Sequence, residues 1–164
     1  NVTLPKFDVR TFKPPENVYG ILVAPPCTMF SLARSRGKTP RDFKQGMELV
    51  IACLKIIWEC RYKNKLAFWC LENPTGFLRQ FLGKPVFTFN PSDFGEPYTK
   101  KTDLWGYFKT PKKKPVKLND EQKWRSKINA RKLPSISEIT GSKQSDKRAI
   151  TPQGFAQAFF EANR

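Results

Sequence analysis

Tyr19-Gly20-Ile21-Leu22-Val23-Ala24-Pro25-Pro26-Cys27 opens a pattern that closes at Leu66-Ala67-Phe68-Trp69-Cys70-Leu71-Glu72-Asn73-Pro74. Each stretch is a short apolar run stopped by proline, which has no amide hydrogen to give a sheet ladder. Between them, Thr39-Pro40 carries the signature of a helix start, with Thr39 as N-cap and Pro40 at the first helical position. Phe43, Met47, Val50, Ile51, Leu54, Ile57 and Trp58 then recur at helical spacing and predict a stripe that faces a sheet. Strand, helix, strand joined by short loops is a parallel βαβ unit, almost always right-handed. Both loops then lie at the carboxyl edge of one sheet, where open α/β sheets hold their ligands. The 25–31 and 72–75 segments are expected to face one another there.

Working outward, 76–82 reads as a short helix, and 86–89 and 102–108 as two further strands. From Lys109 to Lys132 the chain holds ten basic residues against two acidic ones, a basic loop or insertion with a short helix near 120–130. Thr151-Pro152 opens a C-terminal helix with Phe155, Phe159 and Phe160 on its apolar side. The reading is therefore α/β, in three parts: a core over 1–108, a basic segment over 109–147 and a C-terminal helix over 148–164.

The 164 residues suffice for one domain with a real core, and the 13% aromatic content argues against wholesale disorder. No apolar run reaches the length of a membrane span, and no signal-peptide pattern opens the chain. The absence of His removes Ser-His-Asp and Cys-His catalysis and every His-ligated metal site. The spacing of Cys27, Cys53, Cys60 and Cys70 does not match paired metal-binding CxxC elements. Cys53, Cys60 and Cys70 sit in apolar runs and read as buried free thiols, which implies a reducing compartment and a cytoplasmic location. A net charge of +16 predicts a polyanionic partner, most simply a nucleic acid.

Two residues stand out chemically. Cys27 follows a strand and two prolines, so its thiol is displayed at a sheet edge, and Arg34 and Arg36 nearby would favour the reactive thiolate. Glu72 follows a wholly apolar strand, where partial desolvation favours a protonated carboxyl. A nucleophile and an acid on adjacent strand ends can share one cleft. A thiol redox role is disfavoured, since no resolving cysteine lies near Cys27.

Three segments carry a resemblance. The 24–31 stretch Ala-Pro-Pro-Cys-Thr-Met-Phe-Ser resembles the Pro-Cys loop of the DNA (cytosine-5) methyltransferases. Glu72-Asn73-Pro74 resembles their Glu-Asn motif. The 94–105 stretch Phe-Gly-Glu-Pro-Tyr-Thr-Lys-Lys-Thr-Asp-Leu-Trp is similar to a later segment of that family. The three occur in the family's order, over about 8–108, with wording closest to short phage-like members; the 148–156 stretch also looks like the tail of those phage-like proteins. The family's cofactor-binding strand and Gly-containing loop do not precede Asn1, so the resemblance implies an N-terminally incomplete core.

What the resemblance implies is a partial Rossmann-like, class I methyltransferase fold with a mostly parallel sheet and flanking helices. It implies transfer of a methyl group from S-adenosylmethionine to carbon 5 of cytosine, in a bacterial or phage-infected cell. Cys27 would add to carbon 6 of the base, Glu72 would engage ring N3, and Lys100 would help hold the base or the Glu72 loop. Asp8 and Pro25 would line the cofactor pocket. DNA would be gripped by Arg34, Arg36, Lys101, Lys112, Lys113 and Lys114. Trp124 could stack on a base, although a core position is the commoner fate of such a residue. The alternative is a non-catalytic, basic DNA-binding module derived from the same fold.

Overall fold

A computed structural model describes residues 8–34, 39–63, 65–127, 133–140 and 145–164. The elements are β1 (Gly20–Val23), α1 (Phe43–Lys63), β2 (Phe68–Pro74), α2 (Leu78–Leu82), β3 (Phe87–Phe89), β4 (Thr102–Tyr107), α3 (Asp120–Lys127), α4 (Ile136–Thr140), α5 (Ser145–Ala149) and α6 (Gln153–Asn163). Short 3-10 turns occupy Leu32–Arg34 and Pro91–Phe94. The protein is mixed α/β with one four-stranded sheet in the order β1-β2-β4-β3. It divides into two compact units: one holds Asn1–Phe87 and Thr102–Phe108, the other Thr88–Lys101 and Lys109–Arg164.

In the first unit β1 and β2 pair in parallel, Gly20 opposite Phe68 through Val23 opposite Leu71, as the βαβ reading requires. The expected mostly parallel sheet is corrected: β1–β2 is its one parallel pair, and β4 runs antiparallel to β2. The same pairing corrects the end of β2. Leu104, Asp103 and Thr102 lie opposite Glu72, Asn73 and Pro74, so the strand continues three residues beyond Leu71. β4 continues the ladder on the other edge of β2 past the point where β1 ends at Val23. Pro74 is tolerated because it closes the strand.

α1 begins at Phe43, and its cap is Asp42 rather than Thr39: the Asp42 carboxylate accepts from the Gln45 amide at 2.9 Å. A carboxylate three residues before a free amide closes the first turn, leaving Thr39-Pro40-Arg41 as a non-helical approach. Gly46, Val50, Cys53, Ile57 and Cys60 are buried along one face of the helix. Phe43, Met47, Val50 and Leu54 pack with Phe30, Leu71, Leu78 and Trp105 as the core of this unit. Two members of the expected stripe are corrected, since Ile51 and Trp58 are exposed, Trp58 at 69%. Each follows a buried position by one residue, which turns it about 100° off the packed face.

In the second unit Phe89, Phe94, Phe155 and Phe159 form an aromatic core, with the Phe89 and Phe155 rings stacked at 4.1 Å between centroids. Phe160 is exposed, contrary to expectation, for the same one-residue offset from Phe159. At the end of α6 the buried Asn163 amide accepts from the Lys109 backbone amide and donates to its carbonyl, at 2.8 and 3.0 Å. This two-point bond fixes where the basic segment starts. That segment is held further by the amides of Lys114 and Val116, which donate to the carbonyls of Asp93 and Ser92. The backbone from 109 to 119 is thus neither helix nor strand, and α3 follows from Asp120. No helix among the described residues is long and apolar enough to cross a membrane.

Candidate active site at the carboxyl edge of the parallel pair

Beyond β1 the chain turns tightly at Cys27. The Cys27 carbonyl accepts from the amides of Phe30 and Ser31, at 2.9 and 2.8 Å, which closes a single turn over 27–31. Phe30 is wholly buried and anchors the turn in the core, whereas Cys27 is half-buried. Three links join the 25–31 segment to the end of β2 and the residues just beyond it. The buried Asn73 amide donates to the Pro25 carbonyl at 2.9 Å. Ser31 pairs as an isolated bridge with Gly76, and the Phe77 amide donates to the Phe30 carbonyl at 2.9 Å. A Cβ at position 76 would meet the Phe30 carbonyl oxygen at 2.2 Å, so only glycine permits this approach. The 25–31 segment and the end of β2 therefore face one another at one sheet edge, although 72–74 belong to the strand rather than to a loop.

Glu72 is half-buried inside β2, one residue short of Asn73. Strand alternation puts its side chain on the face opposite Asn73 and shared with Cys70. The proximity is felt: Cys70 is pushed up to about 12, chiefly by burial and then by the negative charge of Glu72. Burial also raises Cys53 and Cys60. All four cysteines are free, and Cys53, Cys60 and Cys70 are buried as inert core thiols. Cys27 is the exception among them in its exposure.

The other candidates are placed as follows. Asp8 is held by Arg10, whose Nε donates to both carboxylate oxygens and whose backbone amide donates to Oδ1. These hydrogen bonds draw its pKa down to about 2. Pro25 is buried, with its carbonyl taken by Asn73. Lys100 belongs to the second unit, where its Nζ donates to the Arg148 carbonyl at 2.9 Å. Lys101, Lys112, Lys113 and Lys114 are exposed in that unit, Lys113 paired with Asp93 at 2.9 Å. Trp124 is 59% exposed on α3, not a core residue. Arg34 ends a 3-10 turn, and Arg36 lies outside the described residues. No group of His, Cys, Asp or Glu among the described residues could hold a metal ion.

Sequence reasoning passed over two parts of this edge. Asp103, opposite Asn73 on β4, is wholly buried and takes a two-pronged grip from Arg79 of α2, at 2.7 and 2.6 Å. An acid beside Leu104-Trp105 in an apolar strand was the available signal. The second part is Arg41, whose NH1 and NH2 donate to the carbonyls of Met29 and Ser31 at 2.8 and 2.9 Å.

No protein-family model matches the chain, and no curated protein is similar to it in sequence.

Proposed function

We propose that the first unit carries the nucleophile and acid of a DNA cytosine-5 methyltransferase site on a partial Rossmann-like sheet. One observation carries the reading: the buried bond between Asn73 and the Pro25 carbonyl ties the Cys27 turn to the strand end bearing Glu72, at the carboxyl edge of a parallel pair. The ordered resemblance of the 24–31, 72–74 and 94–105 segments supplies the substrate class.

The chemistry available to these two residues is addition. The Cys27 sulfur forms a bond to carbon 6 of cytosine, and the electron pair of the carbon 5–carbon 6 double bond is pushed toward carbon 5. Glu72 at ring N3 stabilises that electron-rich adduct, more strongly than it binds the ground-state base. Carbon 5 can then take up a proton from water. Loss of a proton from carbon 5 and departure of the thiolate restore the aromatic base. The base must leave the stack for this, so flipping is expected on duplex DNA.

S-adenosylmethionine is the methyl donor that the resemblance implies, and the described residues do not fit it. Asp8 is committed to Arg10, and Pro25 is buried with its carbonyl committed to Asn73. This chain by itself is therefore expected to bind that cofactor weakly. The same observation favours a second reading, a DNA-binding module without chemistry, gripping phosphates through exposed Lys112 and Lys114.

Release of tritium from carbon 5 of labelled cytosine in DNA separates the two, because reversible addition at carbon 6 labilises that hydrogen without any methyl donor. Wild-type chain is expected to release label, and Cys27→Ser to lose the release while still binding DNA. Binding with no Cys27-dependent release would sink the catalytic reading and leave the binding module.

A further inference from the structure

Arg41 lies in the non-helical approach to α1, where a basic side chain is ordinarily a solvated charge or a phosphate contact. Here its guanidinium is committed elsewhere. NH1 donates to the Met29 carbonyl at 2.8 Å and NH2 to the Ser31 carbonyl at 2.9 Å, both partly buried. Its central carbon stands 4.9 Å from the centre of the Phe77 ring, over the residue whose amide binds the Phe30 carbonyl. One planar fork thus touches the Cys27 turn twice and the segment beyond Glu72 once.

The helix behind it is shaped to the same purpose. A Cβ at position 46 would meet Met29 Cβ and the Phe30 ring at 2.9 Å, so glycine lets the first turns of α1 seat directly against residues 29 and 30. Two features at one end of one helix, a fork and a missing side chain, converge on the turn that holds Cys27.

We infer that Arg41 is a positioning residue for Cys27: it clamps the 27–31 turn closed against the Phe77 segment and places a fixed positive charge on it. The inference rests on the reading of Cys27 as nucleophile. Arginine suits the role because its rigid fork spans two carbonyls two residues apart, which the point charge of a lysine cannot do. The cation offsets the partial negative charge of the two carbonyls it binds. It is also bonded to the turn that carries the thiol, where a positive charge favours thiolate.

The test is the rate of Cys27 alkylation by iodoacetamide across pH, followed by mass spectrometry on the full chain. Arg41→Met is expected to slow alkylation at neutral pH several-fold and to move the midpoint of the pH profile upward by about half a unit. Arg41→Lys keeps the charge and loses the fork. It is expected to keep the wild-type midpoint while the amides of Phe30 and Ser31 exchange their hydrogens faster. If Arg41→Met does not fold, Arg41→Gln takes its place, with the same slower alkylation and upward midpoint expected. A merely structural role would lower the melting temperature of the charge-removing variant and leave its pH midpoint in place, and that result overturns the inference. A wild-type Cys27 that does not react at all overturns the nucleophile reading itself, and the role of Arg41 with it.

Discussion

The side-chain amide of Asn73 reaches across 2.9 Å to the backbone carbonyl of Pro25, 48 positions earlier in the chain, in a wholly buried position. Neither partner is a candidate for chemistry. Each is within two residues of one that is: Cys27 follows Pro25 by two, and Glu72 precedes Asn73. The bond therefore ties the segment that leads into the Cys27 turn to the strand end that bears Glu72. Asn73→Asp removes the donor and places a second buried carboxylate opposite Asp103 on β4. We expect it to cost about 3 kcal/mol in urea unfolding at pH 7. Crowding with Asp103 raises the new carboxyl's pKa in the folded state. The loss should then shrink as pH falls toward that pKa, because the folded state binds the extra proton more readily. An Asn73→Asp chain as stable as wild type would remove this bond from the account.

The Arg79–Asp103 pair holds a wholly buried carboxylate on β4 with a partly exposed guanidinium from α2. Breaking one side leaves the charge unpaired, so Arg79→Met should destabilise by about 3 kcal/mol or more. Removing both charges, in Arg79→Met with Asp103→Leu, should recover much of the loss. Double-mutant unfolding curves measure this directly, and additive losses would show that the two side chains act independently.

Thiol chemistry should separate the four cysteines by environment. In native buffer at pH 8 a small alkylating reagent is expected to add one label, at Cys27. The thiol of Cys70 stays protonated, being pushed up to about 12, and those of Cys53 and Cys60 are raised by burial. In denaturant all four should react. Rapid native labelling of Cys53, Cys60 or Cys70 would contradict their placement.

Affinity for DNA should fall steeply with salt. Replacing both Lys112 and Lys114 by Gln should flatten the slope of log affinity against log salt by about 0.9 for each lost phosphate contact. Lys113→Gln should change it less, because that ammonium is already paired with Asp93. Equal effects at all three positions would show that the ion pair opens when DNA binds.

Much of the first unit was legible in the sequence. Proline-stopped apolar runs on either side of a helical stripe give β1, α1 and β2, because periodicity and chain stops act over a few neighbouring residues. The same local rules marked Cys27 and Glu72 as the residues to examine. Three matters were settled only by contacts between distant parts of the chain. β4 pairs antiparallel with β2 and draws Glu72 out of a loop and into the ladder, since backbone groups seek whichever strand completes their hydrogen bonds. Ile51, Trp58 and Phe160 face outward because only the packed partner determines which edge of an apolar stripe is covered. Arg41 spends its charge on two carbonyls 12 and 10 residues back, a commitment that net charge cannot reveal, since a guanidinium has the same charge in solvent, on a phosphate or folded over its own chain.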